Sequence, residues 1–503
     1  MSFILQPSGA TVEPIDAPVD LYTALTYSYV AGGGAYTWQC TNLDSFTTYT
    51  VSTTNGTVTF SSAGVLSYSP ATVGIGGFTI NDRFVELTIG TPVGYFESLN
   101  STTAFYPYGA ALDTSNNLYS AGYDGTYALL QKVNSSGVLQ FQVSLNNAGN
   151  GVQFRSAAID SLDNIIAGGY GTVTGNVIDY VVVKYNSSGV LQWQKSFGGA
   201  SPQYEYGQAV AVDAANSVLV CGYVTQPTGG APYEIVTVKF NSSGTYQWQK
   251  KLAGSYTVLG QAVACDTSSN VYITGQGQAG AGAGFITAKY NSAGTLQWQR
   301  FLKIGSSYGS SNDLANGIVV DSAGDVYVTG YSNAGQLAVT AKYNSTGTLQ
   351  WQRTLTANYG IAIAADTSNN IYVLCTAQST PQGLYLIKYN SSGTIQFQRS
   401  ITSSIAINNG DISVNASGIY ITAQFATTAA GSLNIRLPLD GSSTSTYTNG
   451  AYSIIYAAGS QTSATSGYVD SAGGLTDSTP AYGNATPVMT AGTTTYTSTL
   501  TLF

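Results

Sequence analysis

The chain has 503 residues, 16 basic against 24 acidic side chains, no histidine, and a charged fraction of only 8%. So thin a charge leaves no segment basic enough to neutralise phosphates, which excludes nucleic acid as a partner. Acid gathers at the two ends, with seven acids and one base in residues 1–100 and three acids and no base in 437–503, and that disfavours anionic membrane surfaces.

Residues 1–7 carry no basic n-region and only a short apolar stretch, so no export leader is expected, and no apolar run is long enough to span a bilayer. A separate module follows over residues 1–92. Its stretch Tyr49-Thr50-Val51-Ser52-Thr53-Thr54-Asn55-Gly56-Thr57-Val58-Thr59-Phe60, then Gly64-Val65-Leu66-Ser67-Tyr68-Ser69-Pro70, then an alternating run over 78–89, predicts a small β-sandwich. The pattern resembles the closing strands of cadherin-like and bacterial Ig-like domains. Some cadherin-like relatives hold calcium between domains, and Asp82 and Glu86 are the acids that this would use, although the dense acidic inter-repeat motif is missing.

From residue 93 the chain repeats. Lys132, Lys184, Lys239, Lys289, Lys342 and Lys388 are each followed five residues later by glycine and nine residues later by an aromatic, namely Phe141, Trp193, Trp248, Trp298, Trp351 and Phe397. A period near 50 residues marks a radial or stacked array. Each unit reads as four short strands with two tight turns, one opened by Asp (Asp113, Asp160, Asp213, Asp266, Asp321, Asp366) and one of the Asn-Ser-Ser-Gly kind. Arg436 and Gly441 begin a seventh copy that carries Ser445 where the aromatic belongs. An all-β chain with a seven-bladed β-propeller over 93–445 is the expectation. The units resemble the SBBP-type beta-propeller repeats of bacterial surface and bacteriophage proteins, and the whole chain resembles tailed-bacteriophage virion appendage proteins.

Within the repeat, the aromatic is flanked by glutamines, which puts the ring on one sheet face for packing between blades. The lysines are expected to pair with a neighbouring blade's carboxylate, and the aspartates to cap their turns. Residues 94–99 (Gly94-Tyr95-Phe96-Glu97-Ser98-Leu99) match the fourth-strand ending that the seventh unit lacks, so they are expected to form its outermost strand and close the ring. Cys40, Cys221, Cys265 and Cys375 are scattered with no CxxC pair; free thiols, no metal and no cofactor follow, and reduced cysteines suit assembly in a host cytoplasm. Residues 446–503 are rich in Ser, Thr, Gly, Ala and Tyr and are expected to form a strand-rich arm or small β domain, available to pair with a neighbouring subunit.

Function is expected on the disc face opposite the tight turns, where loop lengths vary and Gly, Tyr, Gln and Ser abound. Tyr170, Tyr204, Tyr206, Tyr223 and Tyr233 are the binding candidates, suited to adaptable contact with saccharide or protein. No catalytic residue is assigned and no enzymatic activity is expected: histidine is absent, and Glu205 and Glu234, read as loop residues of adjacent blades, are the one pair to test for glycosidase chemistry. The reading is a non-enzymatic virion protein (tail, fibre or capsid appendage), partnered by other virion proteins and a host surface glycan or protein, as a homo-oligomer or part of a larger assembly. The rivals are a leaderless bacterial adhesin and a carbohydrate-active enzyme.

Overall fold

The computed structural model describes residues 105–458 apart from loop segments 147–150, 175–176, 199–202, 226–231, 280–281, 304–312, 333–335, 357–358, 377–382, 426–431, 443 and 450–451, and beyond that range the backbone of the strands alone. Seven antiparallel sheets follow one another along the chain and form a seven-bladed β-propeller. Blade 1 is typical: strands Tyr106–Leu112, Leu118–Tyr123, Ala128–Val133 and Leu139–Asn146 pair in sequence order. Blades 2 to 6 begin at Val152, Tyr204, Leu259, Leu314 and Tyr359 and keep that order.

Alternation along each strand gives two apolar faces per blade, and neither is left to water. The large hydrophobic clusters draw on two neighbouring blades: Tyr119, Leu130 and Leu145 of blade 1 pack with Phe154, Ile165 and Val183 of blade 2, and Tyr180, Val182 and Phe197 of blade 2 pack with Val220, Val236 and Phe240 of blade 3. The same arrangement joins blades 3 and 4, 4 and 5, and 5 and 6. Burying such a side chain contributes about 1.5–3 kcal/mol, so the ring is held together by the layers between its blades.

The repeated polar residues form a lock in those layers. Register puts each lysine directly opposite its aromatic, as with Lys184 and Trp193 and Lys239 and Trp248. Lys184 Nζ lies 2.7 Å from Asp160 of its own blade and donates to the Ser242 carbonyl of the next blade at 3.3 Å, while Trp193 Nε1 donates to that same carbonyl at 3.2 Å. The equivalent lysine bonds recur from Lys132, Lys239, Lys289, Lys342 and Lys388. Arg436 Nη1 completes the circle by donating to Ser135 O of blade 1 at 3.0 Å. One expectation is thereby corrected: the carboxylate belongs to the lysine's own blade, and the neighbour supplies a backbone carbonyl. The turn glycine is required by both backbone and space. Gly244 has φ +79°, and a Cβ there would lie 3.0 Å from the Trp193 ring.

The turn aspartates cap as expected. Asp160 Oδ1 accepts the backbone N–H groups of Leu162 and Asn164 at 2.9 Å. Burial opposes ionisation of Asp160, yet Lys184 and Asn164 outweigh it and hold the carboxyl below its ordinary value. Cys221 and Cys375 are buried, Cys265 is partly so, and all three are free thiols; burial pushes Cys221 and Cys375 up to about 12. Cys40 lies outside the residues whose side chains are described.

Blade 7 takes only three strands from its own stretch, Ile407–Asn415, Gly418–Phe425 and Ser432–Leu437, and its fourth is Tyr95–Asn100 from ahead of blade 1. A strand from one end of the chain thus completes the blade built from the other, and no blade needs to be left open at the seam.

The C-terminal stretch differs from the expected arm or small domain. Its strands are spread over the whole ring: Tyr452–Ala458 adds to blade 6, and then Ser463–Thr465, Val469–Ala472, Thr476–Ser478, Gly483–Ala485, Thr490–Gly492 and Thr497–Leu502 add in turn to blades 5, 4, 3, 2, 1 and 7. Every blade receives a fifth strand from one segment running round the ring against the order of the blades. The outer edge of each four-stranded sheet is an unpaired row of N–H and C=O groups, and this segment satisfies it. The sequence has a matching period, with Tyr468, Leu475, Tyr482, Met489, Tyr496 and Phe503 recurring every seven residues.

Residues 1–95 with 500–503 form a second compact unit. Its strands make two four-stranded sheets, one containing Ser2–Ile4 parallel to Arg83–Ile89 and the other joining Leu25–Tyr29, Tyr36–Cys40, Val65–Ser69 and Thr57–Phe60. Asp82 and the Glu86 side chain, the calcium candidates, lie outside what is described.

Candidate functional site

Strand direction in an up-and-down blade places the start of the first strand and the end of the second on the face of the variable loops. The five tyrosine candidates lie toward that face in blades 2 and 3, four of them in first or second strands and Tyr233 just before the third strand of blade 3, whose start shares the face. Tyr170 lies in the second half of the second strand of blade 2, Ile165–Thr174, and donates its hydroxyl to Gln153 Oε1 at 3.1 Å. Its ring meets Tyr206 edge-on at 5.0 Å, Tyr206 stacks on Tyr223 at 5.1 Å, and Tyr223 stacks on Tyr233 at 5.9 Å. Tyr204 stands beside Tyr206 at the strand start. Tyr204 and Tyr233 are 42% and 39% exposed, so the stack is open to a ligand at its outer end. The tips of several variable loops, including 226–231, 304–312 and 377–382, lie outside the described residues.

The aromatic surface extends further than the sequence reading reached. In blade 1, Tyr123 stacks on Tyr106 at 5.0 Å and on Tyr108 at 6.2 Å, and the Arg155 guanidinium of blade 2 lies 3.9 Å from the centre of the Tyr108 ring. Burial and then neighbouring tyrosines push Tyr206 and Tyr123 above the ordinary phenol value, and burial and then Tyr206 push Tyr223 to about 12. These hydroxyls therefore remain protonated, able to donate as well as accept.

Tyr108 and Arg155 are brought there by one device. The first strand of every blade has a β-bulge at the same depth, and the residue left over by the register shift is Tyr108, Arg155, Gln208, Gln261, Asn316, Ile361 or Asn409. A bulge re-aims its side chain. Six of the seven line an axial cavity of about 210 Å³, which Asp411 of blade 7 also borders. Asp411 is engaged, accepting the backbone N–H groups of Ala110 and Ile412 at 2.8 Å each, and burial pushes its carboxyl up to about 6. No carboxylate among the described residues pairs with Arg155.

The two glutamates do not sit where the sequence reading put them. Both belong to strands of blade 3, Glu205 and Glu234 each facing Val224 from opposite sides. Glu205 is fully buried, and Glu234 is held by Lys251 Nζ at 2.9 Å. Two strand spacings separate them, about 10 Å between backbones. No group of three metal-ligating side chains occurs among the described residues.

The family description of the SBBP beta-propeller repeat matches residues 299–337. No curated protein matches the chain. Solved structures of similar fold include virginiamycin B lyase from Staphylococcus aureus, at 10% identity, covering 68% of this chain and 99% of that one with a TM-score of 0.44. Polysaccharide lyase Uly1 is similar at 10% identity, 68% and 99% coverage and a TM-score of 0.42, and the periplasmic gluconolactonase PpgL of Pseudomonas aeruginosa at 10%, 60% and 94%, and 0.42. At this identity the likeness concerns the fold. The expectation of a chain without enzymatic activity is not upheld: the similar structures are named as two lyases and a gluconolactonase, and the lack of histidine does not by itself exclude catalysis.

Proposed function

We propose that the protein is a binding component of a tailed-bacteriophage virion, and that the tyrosine face of blades 1 to 3 docks a host surface glycan. The observation that carries this reading is the continuous run of ring contacts through Tyr170, Tyr206, Tyr223 and Tyr233 with its exposed outer end. Sugar rings present C–H faces that lie flat on aromatic rings, and protonated tyrosine hydroxyls bond the sugar hydroxyls at the rim. A rigid seven-bladed scaffold holds the rings in place, so little ordering entropy is lost on binding. The virion assignment draws support from the resemblance of the repeats and the N-terminal module to phage appendage proteins and from the thin charge of the chain. Other virion proteins, and further copies of this chain, are its proposed neighbours in the particle.

A microarray of bacterial envelope glycans probed with the wild-type chain and with Tyr206→Ala tests the binding reading. Binding confined to a subset of glycans, and lost in the variant at unchanged thermal stability, supports it; equal binding by both chains, or none by either, overturns it. The virion assignment fails if mass spectrometry finds the protein in a culture's secreted fraction and absent from purified particles.

A further inference from the structure

We propose that Arg155 is the anchor for a carboxylate on the bound saccharide, so that the ligand is an acidic glycan with one uronate-type residue entering the axial cavity; this rests on the tyrosine face being the glycan surface. Three observations converge. Arg155 is the bulged residue of its strand and lines the axial cavity, its guanidinium sits over the Tyr108 ring, 3.9 Å from the ring centre, and no carboxylate among the described residues pairs with it. A planar guanidinium fixed by stacking keeps its N–H edge free, and that edge matches a carboxylate bidentately. The one acid bordering the cavity, Asp411, accepts a backbone N–H at each oxygen, from Ala110 and Ile412.

The rest of the lining agrees with a sugar. Gln208, Gln261 and Asn316 occupy the equivalent bulges of the next three blades and offer amides for ring hydroxyls. Asn316 is fixed by donating Nδ2–H to Gly360 O at 2.8 Å, which leaves its carbonyl oxygen to accept. A cavity of about 210 Å³ has room for a small polar group together with water. Tyr108, stacked on Tyr123, joins this cavity to the tyrosine surface, so the remaining sugars of a chain meet aromatic rings as they leave the axis.

The test is calorimetric titration of the full chain with a glucuronate-containing tetrasaccharide and with the same tetrasaccharide after reduction of its carboxyls to alcohols. The acidic form is expected to bind at least tenfold more tightly. Arg155→Gln should lower its affinity to that of the reduced form, Arg155→Lys should recover part of the loss, and Tyr206→Ala should weaken both ligands alike. Thermal melting of each variant separates lost binding from lost folding, and Arg155→Lys keeps a cation in place if Arg155→Gln melts early. Equal binding of the two ligands, unchanged by Arg155→Gln, overturns the carboxylate anchor and leaves the glycan face standing. Failure of the acidic ligand to bind overturns the anchor for uronates, and the glycan face falls separately only if the array is blank as well.

Discussion

At the residue scale, the propeller is held by a polar lock repeated round the ring. Lys184 and Asp160 are both nearly inaccessible, so removing the lysine strands a buried carboxylate. Lys184→Met is expected to cost about 3–5 kcal/mol, and adding Asp160→Asn should return part of it; urea denaturation measures both. Two other acids behave oppositely. Burial lifts Asp411 and Asp179 to about 6, so the folded chain keeps protons that the unfolded chain releases near the ordinary value of about 3.9. Their contribution is complete below that value and is lost as pH rises through 6. Asp160, Asp266 and Asp366 are shifted down, so their contribution is lost only as acid carries the pH below the ordinary range. Wild type is therefore expected to be more stable at pH 5 than at pH 7, by about 2–3 kcal/mol, and Asp179→Asn with Asp411→Asn should flatten the difference. An unchanged slope in the double variant contradicts this. The lysines, aromatics and turn aspartates were legible because they recur at fixed spacing. Which blade supplied the lysine's carboxylate was not, since a repeat looks the same whether its acid pairs within the unit or with the next one.

At the element scale, the blades were legible from alternation and turn chemistry, whereas the two features that build the site and seal the edges were not. A bulge inserts one residue and breaks the alternation of its strand at that point, and its occupants here range from Arg155 to Ile361, so no recurring residue type marks the position in the sequence. Hence Arg155 and Tyr108 were missed, while Tyr170, Tyr204, Tyr206, Tyr223 and Tyr233 were found as loop residues; all but Tyr233 in fact lie within strands, toward the ends that adjoin the variable loops. The C-terminal strands are mostly three or four residues long, too short for alternation, and only their seven-residue period betrays them. Removing residues 459–503 takes the fifth strand from six of the seven blades and exposes their edges. The truncated chain is expected to retain its strand content by circular dichroism but to associate with rising concentration in light scattering, whereas the full chain does not. A truncated chain as monodisperse as the full one contradicts the sealing role.

At the scale of the whole molecule, the ring is a cycle of layers between blades, and a cycle has one place where it must be joined. That seam lies between blades 7 and 1, where Arg436 reaches Ser135, Asn415 Nδ2 donates to Asn116 Oδ1 at 2.7 Å and Asp411 accepts from Ala110. The tyrosine surface begins in blade 1, beside the seam, so the geometry of the site depends on the join. The closing strand, Tyr95–Asn100, was legible because its aromatic and apolar spacing copied the fourth strand of the other units while the seventh unit had lost its own. The most direct test compares thermal unfolding, followed by circular dichroism, of chains lacking residues 1–90 and 1–100. The first keeps the closing strand and is expected to unfold in one cooperative transition near that of the full chain's propeller; the second loses it and should melt at markedly lower temperature, with its transition broadened. Coincident melting of the two truncated chains would show that the ring closes without the donated strand, and would contradict the account.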